Sequence, residues 1–316
     1  MRFVLICLPV WKKARQQVVE SVRDADENGN SKGVPPVGAI HESPKIRDIS
    51  QMAIPEMKWN PEDYARNSSG QLVWAHELLA KLKLRGHEAI LDVGCGDGKI
   101  TAEVAKAVPN GFVLGIDSSI AFIGYAQSHY PLSIYPNLLF EQMDARRLAY
   151  NRQFDIIFSN ATLHWVDDHR AFLAGCSSLL RAGGRLIVSC GGAGNADEII
   201  AVMNNLIRER KWAGYFNNFE RPYFFYTPED YKRWLPEAGF YPTRLELVEK
   251  DMVHRGREGL ASWLRTTWMP YTHCVPENMR QTFILECVDA YLREHPLDHS
   301  GRNHVKMMRL EVEAHI

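Results

Sequence analysis

Three things are scarce in this sequence of 316 residues: paired cysteines, an excess of charge of either sign, and any long apolar run. The six cysteines (Cys7, Cys95, Cys176, Cys190, Cys274 and Cys287) stand far apart with no C-x-x-C pair. That excludes the usual zinc and dithiol motifs and the dense framework of a small secreted domain. They read as reduced intracellular thiols, so the expected location is cytoplasmic, and no metal site is expected. With 37 Lys+Arg against 38 Asp+Glu the formal net charge is -1, and no general field draws the chain to nucleic acid or to an anionic membrane. The expected partner is therefore a small molecule, with neither nucleic acid nor membrane involved and the oligomeric state left open. The apolar start "MRFVLICLPV" runs for only about eight residues before Pro9, too short to span a bilayer, and no small-x-small cleavage site follows it.

What remains has an ordinary globular composition, 46% hydrophobic and 24% charged, in a chain long enough for one large or two modest domains. Residues 24–56 are rich in Gly, Pro, Ser and charge and poor in periodicity, which reads as linker. Organised structure is expected from near Trp59. The expected division is a partly disordered extension over 1–58, a ligand-binding core over 59–191, and over 192–316 a helical lid with the last strands of the same sheet.

Leucines and alanines recur at helical spacing over 71–83, ahead of the first strand. Short runs of Ile, Leu, Val and Phe at 89–93, 112–116, 138–142, 155–159 and 185–190 then read as strands, separated by helical patterns at 99–108, 118–130 and 168–181. Asp167 or Asp168 is a candidate N-cap for the last of these, with Gly183 just past its end. Strands apolar on both faces with helices between them predict a doubly wound, mostly parallel α/β sheet. Beyond Gly191 the pattern becomes helical and aromatic, from Trp212 to Trp234 and from Trp263 to Tyr271. Strand candidates at 244–248 and 305–314 complete the seven-stranded sheet, and the aromatic helices are expected to cover it as a lid.

The stretch "ILDVGCGDGKI" places Gly94, Gly96 and Gly98 between the first strand and its helix. A chain passing from strand to helix approaches a ligand closely only where side chains are missing, and the helix then offers unpaired N–H groups. A G-x-G-x-x-G dinucleotide fingerprint needs a small third residue where Lys99 stands, and Asp92 and Asp97 flank the loop with the wrong charge for a pyrophosphate. No P-loop motif is present. An acid two residues before the glycines suits a ligand whose local charge is positive, such as the amino and sulfonium groups of S-adenosyl-L-methionine.

The run "LDVGCGDG" resembles the first motif of the class I S-adenosylmethionine-dependent methyltransferases, with a Rossmann-like fold, and three further motifs match in order. "VLGIDSS" ends the second strand on Asp117 and Ser118, where a carboxylate accepts both ribose hydroxyls. "EQMDARRL" puts Asp144 and Ala145 after the third strand, where the resemblance implies contact with the adenine amino group and a ring nitrogen. "FDIIFSNATLHWVDD" closes the fourth strand on Ser159, Asn160 and Ala161, beside the methionine moiety. The expected cofactor set is Asp92, Gly94, Cys95, Gly96, Asp117, Ser118, Asp144, Ala145, Asn160 and Ala161.

The [ND]-P-P-[YF] motif of nucleic-acid amino methylation is absent, the site reading "SNAT". "NPEDYARNSSGQ", "ATLHWVDDH" and the aromatic C-terminal region are similar to the trans-aconitate and juvenile hormone acid methyltransferases, which methylate carboxylates. The resemblance implies that Tyr64 closes over the cofactor and that Gln71 and Trp165 donate hydrogen bonds to the substrate carboxylate. His164 stands where the trans-aconitate pattern often has Gln. A carboxylate of pKa about 4 is already ionised at neutral pH and needs no base, whereas a phenol or amine acceptor makes His164 the natural base. Arg265 is the candidate to clamp an acid. O-methylation of a small organic acid is the leading expectation; N-, phenolic O- or C-methylation, and a catalytically silent cofactor-binding protein, stay open beside it.

Overall fold

The computed structural model of the chain describes residues 61–62 and 69–316, with side chains of the first helix described from Trp74 onward. The expected extension over 1–58 and Tyr64 lie outside the described residues.

Strands β1 (Ala89–Val93), β2 (Phe112–Asp117), β3 (Leu138–Gln142), β4 (Phe154–Asn160), β5 (Leu180–Gly191), β6 (Tyr241–Arg255) and β7 (Arg302–His315) form a seven-stranded sheet of order β3-β2-β1-β4-β5-β7-β6. The first five are parallel, and β7 enters antiparallel between β5 and β6. All five residues of β1 are buried, the mark of a central strand covered on both faces. Alternation divides these faces. Leu91, Leu114, Ile157 and Leu186 pack with Phe172, Leu173 and Leu235 from α4 (His169–Leu179) and α6 (Pro228–Glu237). Ile90, Val113, Phe158 and Ile187 pack with Leu78, Ala102 and Ile123 from α1 (Ser69–Leu82), α2 (Lys99–Ala107) and α3 (Ile120–His129). Where β1 and β4 end side by side, the helices on the two faces diverge and leave a crevice at the carboxyl ends of the strands.

The two outer strands run much further than the short apolar runs that signal them, because β6 and β7 pair continuously as far as Arg255↔Arg302 while β5 stops at Gly191, opposite Arg309. The overhang from 302 to 308, paired with β6 but not with β5, is a two-stranded ribbon of about 23 Å at the usual strand rise. It carries Met252, Val305 and Met307 into a separate apolar cluster with α5 (Asp197–Leu206), α7 (Gly256–Thr267) and α8 (Glu277–Glu294). Trp212 is fully buried there and donates its indole N–H to Glu286 Oε2 at 2.7 Å, and the Tyr291 hydroxyl donates to the His304 carbonyl at 2.8 Å. This second cluster stands over the crevice. Among the described residues, no helix is long and apolar enough to cross a membrane.

Two local expectations are corrected. Asp168 does cap α4, accepting the Ala171 N–H at 2.9 Å, but Gly183 does not end that helix. The helix stops at Leu179, and Gly183, with φ 73°, turns the start of β5 so that its N–H reaches the Ile316 carbonyl. The aromatic stretch from Trp212 to Trp234 is helical only in a short turn at Ala213–Tyr215 and in α6; residues 216–227 cross the crevice as irregular chain. Aromatic spacing alone does not separate a helix from a strap held by ring contacts.

The start of α6 is fixed by a capping box: Thr227 Oγ1 accepts the Asp230 N–H at 3.1 Å while the Asp230 carboxylate accepts the Thr227 N–H at 3.0 Å. Thr227→Val should lower the unfolding free energy by about 1 kcal/mol, measured by urea denaturation; an unchanged midpoint and slope would mean that the cap contributes nothing.

Candidate active site

The crevice is a cavity of about 770 Å³ whose walls come from the ends of β1, β2 and β4, the turn after β3, and the ribbon and strap above them. Its floor is the glycine loop. Gly94, Gly96 and Gly98 all have positive φ (81°, 53° and 79°), the left-handed region that L side chains rarely enter. At Gly94 a Cβ would stand 2.1 Å from Thr162, so the first glycine lets β1 pass the turn after β4. At Gly96 a Cβ would meet no protein atom within 4 Å. The second glycine thus leaves open the space from which a ligand reaches the backbone.

Two main-chain donors aim at the Asp117 carboxylate, Gly96 N–H at 3.1 Å and Ser119 N–H at 2.9 Å, locking the loop after β1 to the turn after β2. Burial nevertheless raises the Asp117 pKa above the ordinary range, with those two bonds opposing the rise. Asp92, only 3% exposed, accepts the Thr101 hydroxyl at 2.7 Å, and burial lifts its pKa to about 7. Asp144 accepts its own Arg146, whose Nη2 donates at 2.7 Å, and that side-chain bond lowers its pKa. Ala161 holds φ 56° with its N–H on the Ser189 carbonyl at 2.8 Å, a left-handed non-glycine conformation of the kind that clusters at working sites. Cys95 and Ser118 also line the cavity, so the ten expected cofactor positions from Asp92 to Ala161 are brought together there.

The other end of the cavity lies under the strap. Phe224 N–H donates to the His164 carbonyl at 2.9 Å, Tyr226 Oη donates to the Asp167 carbonyl at 2.8 Å, and Tyr223 packs on Trp165 with ring centres 4.7 Å apart. His164 Nδ1 accepts the Gly191 N–H at 3.3 Å. Since a backbone amide can only donate, the ring proton of the neutral imidazole sits on Nε2. Burial, with help from the charge of Arg309, pulls the His164 pKa down to about 3. Trp165 lines the same end. Gln71 lies on α1 one turn before Trp74, a lining residue, and its side chain is outside the described residues.

Arg265 is a correction. It is exposed, although its helix neighbours Ala261, Trp263 and Leu264 are buried, and it does not line the cavity. Arg309 of β7, which no motif marks, does line it. It stands in register with Val305 and Met307, so a charge appears where the two-residue alternation calls for an apolar side chain. That break in the pattern is the signal the sequence offered.

A methyltransferase-domain family profile matches residues 90–184, the segment that contains β1 to β4 and the cavity floor. A trans-aconitate 2-methyltransferase of Deinococcus radiodurans is 32% identical over 221 residues, covering 68% of this chain and 83% of the relative. One from Shigella dysenteriae is 28% identical over 259 residues, covering 81% of this chain and 97% of its own. A Bacillus halodurans crystal structure described as a methyltransferase superposes with a TM-score of 0.52 at 16% identity, over 76% of this chain and 97% of that one, and supports the fold. The chain belongs to the class I S-adenosylmethionine-dependent methyltransferases.

The residues present fit that cofactor. A buried acid at Asp92, a second at Asp117 and an open glycine backbone at Gly96 provide negative charge and close approach, where an amino group, a sulfonium and a ribose need them. An acid whose pKa rises on folding holds its proton more tightly in the folded chain. Asp92 therefore makes the empty protein most stable below its usual value of 3.8 and removes that margin as pH climbs towards about 7. Asp92→Asn should raise the melting midpoint of the empty protein at pH 8 and not at pH 4, while weakening cofactor binding. In the unsubstituted protein cofactor affinity should fall below about pH 7, as the proton competes with the cation. Calorimetric affinity that is flat from pH 5.5 to 8 would contradict this placement of Asp92.

Proposed function

We propose that this enzyme methylates a carboxylate oxygen of a small organic acid, in the cytoplasm. The observation that carries the reading is the state of His164. With Nδ1 taken by the Gly191 amide and the pKa pulled down to about 3, the imidazole offers an N–H at neutral pH and is a very weak base. A phenol or ammonium acceptor has to shed a proton; a carboxylate does not. The trans-aconitate methyltransferase names of two relatives point the same way, and the five described cysteines, all free thiols, agree with a reducing compartment.

In this reading the cofactor supplies an electrophilic methyl group. Asp117 holds the ribose, the Asp144 and Ala145 turn takes the adenine, and Asn160 with the strained Ala161 meets the methionine end. Tyr64 covers the cofactor. Gln71, Trp165 and the His164 N–H donate to the acceptor carboxylate. Fixing nucleophile and sulfonium in line is worth on the order of 7 kcal/mol in effective concentration, and the surrounding rings exclude water.

Methyl-labelled cofactor incubated with a panel of acids, phenols and amines should give base-labile esters. Trp165→Phe keeps an aromatic ring but loses the indole N–H, a donor to a charged group worth about 1.5–3 kcal/mol. Its rate should fall roughly ten- to hundredfold, while His164→Gln, which keeps an N–H donor, should retain most of its rate. Base-stable product, or a nearly dead His164→Gln beside a healthy Trp165→Phe, would overturn the reading.

A further inference from the structure

Where β5 ends, two side-chain N–H groups open onto the cavity with no acceptor for them among the described residues. We propose that Asn195 is a further acceptor-binding residue and that, with His164, it forms a seat of neutral donors for the acceptor's carboxylate. The proposal rests on the carboxylate reading above and adds to it a residue that the four sequence motifs do not mark.

The orientation of the Asn195 amide follows from the way β5 leaves the sheet. The last pair between β5 and β7 is Gly191↔Arg309, and Gly192 N–H still reaches the Met308 carbonyl at 2.9 Å. The next donor on that edge, the Met308 N–H, is received by a side chain instead: Asn195 Oδ1 accepts it at 3.2 Å. A backbone amide can only donate, so the atom facing β7 is the oxygen and Nδ2 is the free end. Ala196, the next residue, holds a left-handed φ of 55°, a conformation that persists where the surroundings impose it.

The free end faces the ligand space. Asn195 is 5% exposed and lines the cavity. Its Nδ2 is not sealed inside protein as the indole nitrogens of Trp263 and Trp268 are, so it opens onto that cavity. Gly191 makes room for it, since a Cβ there would stand 2.9 Å from Asn195 Nδ2 and 2.9 Å from the Phe225 ring of the strap. The N–H of the same glycine goes to His164 Nδ1, which leaves the ring proton on Nε2, likewise on the cavity wall. Both donors are therefore gathered around one glycine. In the sheet order β1-β4-β5-β7 this place lies beyond β4, whose end is read as meeting the cofactor's methionine, and so on the acceptor side. The amide does not titrate, and burial keeps the imidazole neutral. Neutral N–H donors hold an anionic oxygen more strongly than an uncharged one. Held by one oxygen, the carboxylate keeps the lone pairs of the other for the methyl group.

The test is calorimetric binding at pH 8 to the full chain loaded with S-adenosylhomocysteine. The probes are trans-aconitate, cinnamate and the primary amide of cinnamate. Asn195→Asp keeps an acceptor for the Met308 N–H but sets a negative oxygen where Nδ2 stands. It should weaken whichever acid binds by at least roughly tenfold, without weakening the amide and with S-adenosylhomocysteine affinity within about twofold. A merely structural role would lower all three together, and that result overturns the proposal. So does an acid affinity unchanged in Asn195→Asp, or binding of neither acid to the unsubstituted enzyme at millimolar concentration. A second measurement needs no variant to fold: in a crystal structure of the unsubstituted enzyme with S-adenosylhomocysteine and the bound acid, a carboxylate oxygen should lie within about 3.2 Å of Asn195 Nδ2. A carboxylate seated out of its reach overturns the assignment to Asn195 alone. Label found on an amine or phenol in the panel above identifies the failure as that of the carboxylate reading itself.

Discussion

Two amide N–H groups, from Gly96 and Ser119, converge on the Asp117 carboxylate, and much of the site depends on that convergence. The bonds join the ends of two adjacent parallel strands, so the glycine loop is held open by an acid that is itself held in place. An open left-handed loop exposes backbone donors at an entropic cost that glycine makes large. Anchoring it to Asp117 confines that freedom to one shape. The Thr162 hydroxyl adds a third tie, donating to the Gly94 carbonyl at 3.1 Å from the turn after β4. The loops that follow β1, β2 and β4 thus form one hydrogen-bonded rim.

On this rim the charges are separated. Asp92, Asp117 and Asp144 gather at the end proposed to receive the cationic cofactor, and burial raises the pKa values of the first two. Arg309 also lines the cavity, brought there by a strand more than a hundred residues downstream of the fourth motif in sequence. A cofactor cation bound at the acidic end would enter negative potential, which offsets part of its loss of water. In the proposed reaction opposite charges cancel, since a sulfonium and a carboxylate become a neutral thioether and a neutral ester. Low dielectric around the rings favours such charge cancellation.

The grouping of the expected cofactor residues in one cavity was legible because its signals are local. Gly94, Gly96 and Gly98 sit within five residues, and Asp117 and Asp144 each follow an apolar run that announces its own strand. Position in the motif fixes position in the sheet, because every parallel strand ends at the same edge. The acceptor half is assembled from long-range packing. Arg265 follows an aromatic stretch in the sequence, yet its side chain is exposed on α7. Arg309 depends on the register of β7 against β5, which an apolar run of ten residues does not specify. The strap at 216–227 departs from the helical expectation for a related reason: rings that hold an irregular chain have no required period.

The central claim is that the acceptor arrives already ionised, so the site orients two charges and moves no proton. Proton stoichiometry tests this directly. Transfer from a sulfonium to a carboxylate releases no proton, whereas transfer to an ammonium group or a phenol releases one for each methyl moved. With the natural acceptor identified and both substrates saturating, a pH-stat at neutral pH read beside labelled-methyl incorporation should record no acid release above background. One proton for each methyl transferred would contradict the account.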